Sequence, residues 1–226
     1  MNYIKFSGAY HVEKLNTELG YALKEEWPLH FNTQDYNGDW RSISLRSASG
    51  KSNDIHAHPN GIYQDTPVLG LMPYTKEILD SWQCEKEAIR LLYLAPDSHI
   101  KPHKDLGCAY HDGIFRIHIP IVTNPDVHFT IEQEKLHLDA GECWYIDFSV
   151  THSIINAGST PRVHLIIDGI RNDWTDRLFE AHGYDLSRRS TSDSYDPETK
   201  ARMIENLEQM NTDTARNLIA TLKAEH

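Results

Sequence analysis

Near the N-terminus, in HVEKLNTELGYALKEEWP, apolar residues recur at helical spacing: Val12, Leu15, Leu19, Ala22 and Leu23 share one face, and a proline closes the run. A surface helix is expected there. A second is expected over PYTKEILDSW, with Ile78, Leu79 and Trp82 as its apolar face, and NGDWRSISLRSASGKSN between them predicts a strand near Arg41 to Arg46 flanked by turn residues. From about residue 87 to 170 the pattern becomes a series of short β-rich runs: AIRLLYLAP, FRIHIPIVT, VHFTIE, KLHLDAG, CWYIDF, HSIINAG and RVHLIID, punctuated by Gly, Pro, Asn and Asp. Strands so closely spaced, with no helices between them, predict a sandwich or small barrel, not a parallel sheet.

Beyond Trp174 the serine-rich LSRRSTSDSYDPE predicts a linker or lid. DPETKARMIENLEQM comes next, with Asp196 as N-cap, Pro197 in the first turn and Met203, Ile204 and Leu207 on one face, and a last helix is expected through Leu218, Ile219 and Leu222. The expected organisation is one β domain with N-terminal helices over residues 1–180. A polar linker and helical extension over 181–226 would pack on that domain or on a second subunit, as in a homodimer.

The full 226 residues allow one sizeable core. No run approaches the roughly 18 apolar residues of a membrane span, and the first residues lack a signal-peptide pattern, so a cytoplasmic location is expected. Three cysteines, Cys84, Cys108 and Cys143, form no paired spacing and read as reduced thiols. A net charge of -11 with no basic cluster disfavours nucleic acid and anionic membrane as partners. A small molecule or a peptide is the expected ligand.

The densest chemistry lies in IKPHKDLGCAYHDGIFRIHIP, residues 100–120. On an extended segment, His103 and Asp105 would point to the same side, and DFSVTHSIIN supplies His152 as a third ligand. Two histidines and a carboxylate with open positions form the facial triad of non-haem Fe(II) oxygenases. An oxygenase using a 2-oxo acid must also hold the far carboxylate, which a guanidinium fork does bidentately. Arg162 in RVHLIIDGI, ten residues past His152, is the candidate. His111 reads as a loop residue, His56 and His58 as surface residues, and His128 and His137 as half-buried strand histidines.

The segments PHKD, FRIHIPI, AGECWYIDFSVTHSIIN and RVHLIID together resemble the aspartyl/asparaginyl β-hydroxylase family of Fe(II)- and 2-oxoglutarate-dependent dioxygenases, over roughly residues 36–174. GDWRSISLRSASG, TPVLGLMPYTKEILDSW and IRLLYLAPDSHIKPHKD are similar to its bacterial, proline-hydroxylating branch. The resemblance implies a mainly β fold, a double-stranded β-helix or cupin-like jelly roll with flanking N- and C-terminal helices. It implies His103, Asp105 and His152 as iron ligands, Arg162 as anchor of the distal carboxylate of 2-oxoglutarate, and Arg116 and His118 as lining of the cosubstrate pocket. It further implies Arg90 as the group that receives a substrate carboxylate. Alternation places Arg116 and His118 on one strand face, and Arg90 with Leu92 and Leu94 on one face. The vertebrate branch has glycine where this chain has Asp105, and a serine where it has Leu92, which leaves the contact to the inner carboxylate of 2-oxoglutarate open. Trp144, Tyr145 and Phe148 are candidates for a dry wall or for plain core.

The expected activity is Fe(II)-, 2-oxoglutarate- and O2-dependent hydroxylation of a free amino acid or small amino-acid derivative. The alternatives are β-hydroxylation of Asp or Asn side chains in a peptide or protein, and a non-oxidative cupin-like isomerase or ligand-binding protein.

Overall fold

Alternation in three nine-residue runs builds the larger of two antiparallel sheets. In the computed structural model, which describes residues 1–58, 61–105, 107–188 and Ile204, these runs are β5 (Lys86–Leu94), β7 (Ile114–Val122) and β12 (Arg162–Ile170). With β1 (Tyr3–Lys5), β3 (Trp40–Ser47), β4 (Gln64–Asp65) and β10 (Trp144–Ile146) they form a seven-stranded sheet of order β1-β10-β7-β12-β5-β3-β4. The second sheet runs β2-β6-β11-β8-β9, from β2 (Tyr36–Asn37), β6 (Ser98–His103), β8 (Val127–Ile131), β9 (Glu134–Leu136) and β11 (His152–Asn156). Two facing antiparallel sheets joined by crossovers are the expected jelly roll.

The two faces of the larger sheet do different work. Ile89, Leu91, Ile117, Ile119, Leu165 and Ile167 point outward into a core shared with three helices, α1 (Val12–Ala22), α2 (Pro73–Ser81) and α3 (Asp173–Ala181). The inner face carries polar residues at the alternate positions and looks across Ile100, Phe129, Ile131 and Ile154 of the smaller sheet. The N-terminus of α2 is held by Glu18 of α1, whose buried carboxylate accepts from the Tyr74 and Thr75 amides at 2.5 and 2.8 Å and from the Thr75 hydroxyl at 2.7 Å. That carboxylate satisfies donors a helix start leaves orphaned, with the charge sign the helix dipole favours.

The two expected N-terminal helices form, although α1 stops at Ala22, well short of the proline: the indole of Trp27 donates to the Ala22 carbonyl at 2.8 Å and the residues beyond are exposed. Three strands the periodicity did not mark, β1, β2 and β4, are only two or three residues long and exist through pairing with longer partners. Strand β6 and helix α3 were also not expected. The latter begins at Asn172, whose side chain accepts from the amides of Trp174 and Thr175, both at 3.0 Å. His128 and His137 are exposed, not half-buried, because the former faces out from β8 and the latter lies in the turn after β9. His56 and His58 are on the surface as expected.

The compact unit spans Met1–Leu186. Apart from Ile204, which is helical, the expected C-terminal helices lie outside the described residues, as do the subunit contact assigned to them and nearly all of the linker. No helix among the described residues is long and apolar enough to cross a membrane.

Candidate active site

Register brings the two candidate histidine ligands together: His103 ends β6, His152 starts β11, and the two are direct partners across that antiparallel pair. Their rings lie 4.2 Å apart. Asp105 lies just past the end of β6, where its amide donates to the Phe148 carbonyl at 2.8 Å, and its carboxylate turns back to 3.5 Å from His103 Nε2. One ligand atom from each of His103, Asp105 and His152 falls within 4.8 Å of the other two.

Each histidine is oriented by the backbone two residues before it. His103 Nδ1 lies 2.8 Å from the Lys101 carbonyl and His152 Nδ1 lies 3.1 Å from the Val150 carbonyl. A carbonyl can only accept, so both protons sit on Nδ1 and both Nε2 lone pairs are free for a metal. Burial holds His152 down to about 4, so the neutral, ligating form is present at neutral pH. Two imidazoles and one carboxylate fit a divalent first-row ion that keeps open positions.

The triad borders a cavity of about 450 Å³ that reaches Arg162, Arg90, Arg116 and His118 on the inner face of the larger sheet. Arg162 is wholly buried, with no acidic partner among the described residues: Nη2 donates to His164 Nδ1 at 2.8 Å, while Nε and Nη1 have no hydrogen-bond partner there. Burial alone pulls this guanidinium down to about 9. The same condition extends around it. Every buried side-chain nitrogen left without a partner among the described residues belongs to Trp40, Arg90, His118, Arg162 or His164, all on the inner faces of β3, β5, β7 and β12. The unmatched N–H donors of Trp40, Arg90 and Arg162 on this wall suit an anion, since each would otherwise cost about 1–3 kcal/mol.

Arg116 and Arg90 divide a carboxylate that no sequence motif marked. Asp168, on the inner face of β12, accepts from Arg116 Nε at 2.6 Å and Nη2 at 3.1 Å, and from Arg90 Nη1 at 3.4 Å. Arg116 Nη1 reaches Asp105 at 3.0 Å. Arg116 thus ties the candidate metal ligand to β12, with every nitrogen of its fork engaged, whereas Nε and Nη2 of Arg90 remain unused. Asp168 shares the parity of Arg162, so alternation along RVHLIID carried the signal.

Of the three aromatic candidates, Phe148 alone lines the cavity. It stacks on His118 at 5.0 Å and meets His152 edge-on at 4.7 Å. Trp144 packs between the sheets and Tyr145 lies in the outer core. His30 and Trp40, stacked at 3.5 Å, also line the cavity, and nothing in their local sequence marked them. Leu92 lines it too, opposite Ser42 of β3, whose buried hydroxyl has no partner among the described residues. His111 sits in a short turn, not on the cavity wall.

His118 and His164 give a pH prediction. Burial, with Arg162 second, pushes both well below the ordinary histidine range, so the folded state keeps them neutral while the unfolded chain protonates them below about 6.5. The unfolded state then binds more protons, and stability falls as pH drops below that value by up to about 1.4 kcal/mol per pH unit for each group. Urea melts of wild type and His164→Phe between pH 7.5 and 5 should show a shallower loss in the variant; equal slopes would remove His164 from this account.

A family model of aspartyl/asparaginyl beta-hydroxylase matches residues 10–172. L-proline cis-4-hydroxylase of Rhizobium meliloti (strain 1021) is 29% identical over 134 residues, 58% of this chain and 48% of that protein. L-proline cis-3-hydroxylase 1 of a Streptomyces species is 28% identical over 166 residues, 69% of this chain and 56% of that protein. The chain therefore spans about half the length of the curated relatives it matches. Among solved structures, an oxidoreductase of the 2OG-Fe(II) oxygenase family from Burkholderia pseudomallei aligns over 76% of this chain and 86% of its own, with a TM-score of 0.54 and 11% identity, a likeness of fold. With the family model spanning every strand but β1 and every residue of the candidate site, the chain belongs to the aspartyl/asparaginyl β-hydroxylase family.

Proposed function

We propose that this protein is an Fe(II)- and 2-oxoglutarate-dependent dioxygenase that hydroxylates an unactivated C–H bond of a free amino acid or a small amino-acid derivative. One observation carries the reading. A single cavity has a His103–Asp105–His152 donor set on its wall and, elsewhere on the same wall, a wholly buried arginine with unused N–H groups and no acidic partner among the described residues. Fe(II), 2-oxoglutarate and dioxygen together supply the oxidising power for inserting one oxygen atom, with release of succinate and carbon dioxide.

The chain's own residues supply position and dryness. His103 and His152 present Nε2, and Asp105 is steadied by Arg116. Arg162 takes the distal carboxylate of 2-oxoglutarate through Nε and Nη1, with His118 Nε2 beside it. Arg90 receives the carboxylate of the substrate. Phe148 and Ile154 keep water from the space between.

The names of the curated relatives make L-proline the first compound to test. Incubation with Fe(II), 2-oxoglutarate and oxygen is expected to release succinate in step with the gain of one oxygen atom by one of the twenty proteinogenic amino acids. Turnover confined to capped peptides would replace this reading with the reaction of the family's namesake, and no succinate with any compound would leave a non-oxidative role.

A further inference from the structure

Strand β5 carries one extra residue where it passes the end of β12: Ile89 pairs with Ile167 and Lys86 with Gly169, so two residues of β5 oppose Asp168 alone. Such a bulge shifts side-chain parity by one and re-aims the side chains on its far side. Strict alternation from Arg90 would send Glu87 outward with Ile89. The bulge instead turns it inward, and Glu87 lines the cavity beside Arg90, Asp168 and Ile114. Its carboxylate has no hydrogen-bond partner among the described residues, and partial burial together with the charges of Asp168 and Glu85 pushes it up from the ordinary carboxylate range. Arg90, 8% exposed, bears on it as a charge yet spends only Nη1, on Asp168. Nε and Nη2 of Arg90 are unmatched in the same cavity.

Two groups of opposite charge, each with polar atoms left unengaged among the described residues, three positions apart on one strand and facing one cavity, ask for a ligand that carries both complements. We infer that Glu87 and Arg90 together read the zwitterion of a free α-amino acid, Arg90 taking the α-carboxylate and Glu87 the α-ammonium or, for an imino acid, the ring NH2⁺. This rests on the free-amino-acid reading above and sharpens it into a rule of selection. A residue inside a peptide, or an amino acid acylated on nitrogen, would seat its carboxylate or side chain and leave Glu87 desolvated without a partner. Sites that hydrogen-bond a specific group reject analogues lacking it far more strongly than apolar pockets reject a change of size.

The test measures binding and turnover separately, on the full chain loaded with Fe(II) and 2-oxoglutarate. Under argon, calorimetry gives dissociation constants for the twenty proteinogenic L-amino acids, each as free acid, N-acetyl derivative and amide. Succinate release is then measured in air with the same compounds. For the best free acid, wild type is expected to bind the N-acetyl form and the amide each about ten- to a hundredfold more weakly, the range of one charge-assisted contact. Glu87→Gln should collapse the first ratio towards one while keeping the second, and Glu87→Asp should fall between.

N-acetyl forms bound as tightly as free acids by wild type would overturn the role of Glu87, as would an unaltered ratio in Glu87→Gln or binding of none of the twenty. Zwitterion binding with the expected ratios but no succinate release would uphold Glu87 and defeat the dioxygenase reading. Oxygenation of N-acylated amino acids or of residues inside peptides as fast as of free acids would do the reverse.

Discussion

Alanine in place of His103, Asp105 or His152 is expected to lower Fe(II)-dependent turnover by three orders of magnitude or more, about 4 kcal/mol of lost transition-state stabilisation. The expectation comes from the donor set, since three atoms within 4.8 Å of one another become two and the remaining pair cannot fix the ion in a single orientation. The fold should survive, because an open catalytic site contributes far less to folding than a closed structural one. Asp105→Ala is the most informative of the three. It removes a candidate ligand and also releases Arg116 Nη1, but Arg116 keeps Nε and Nη2 on Asp168, so the strand that carries it stays anchored. Anaerobic titration with Co(II), read by its visible absorption, separates loss of metal from loss of chemistry. Undiminished turnover in any one variant would remove that residue from the triad.

Strand parity made much of this site legible in the sequence, and departures from parity hid the rest. Arg162, Arg116, His118 and Arg90 lie on long strands, on stretches where alternation holds, and their inner-face positions could be read directly. Asp168 was equally readable, six residues from Arg162 on one strand, but a lone aspartate at a strand end carries no motif to set it apart from a surface charge. Glu87 was concealed, since one extra residue in β5 reverses the face that alternation assigns. Asp105 reached its expected place by an unexpected route: β6 ends at His103, and the carboxylate is brought round by the loop, held where the Asp105 amide donates to the Phe148 carbonyl. His30 and Trp40 meet through a tertiary stack at the edge of the cavity, which no local pattern encodes.

The fold divides the same way. Long strands and amphipathic helices announced themselves through periodicity, while β1, β2 and β4 are too short to show a period and are set by the strands they pair with. Helix α3 was readable and missed: an asparagine with a threonine three residues later completes a reciprocal cap, and its apolar residues are well segregated on one face.

Arg162 is expected to show two effects of opposite sign when replaced by methionine. In the ligand-free protein its charge is buried without an acidic partner among the described residues and held down to about 9, so an apolar residue of similar length should raise thermal stability. The same change should abolish the response to 2-oxoglutarate. A ligand that binds only the folded state stabilises by RT ln(1 + [L]/Kd), about 2.7 kcal/mol at a hundredfold excess over Kd, so wild type should melt several degrees higher with millimolar 2-oxoglutarate and Arg162→Met should not. Arg162→Lys keeps a cation but loses the fork, and its affinity for 2-oxoglutarate should fall about ten- to a hundredfold, on the order of 1.5–3 kcal/mol. Melting curves on the metal-loaded proteins under argon read all three without any turnover. A ligand-induced shift in Arg162→Met equal to that of wild type would move the distal carboxylate away from this end of the cavity, and Arg90, the other buried guanidinium with unused nitrogens among the described residues, would become its anchor.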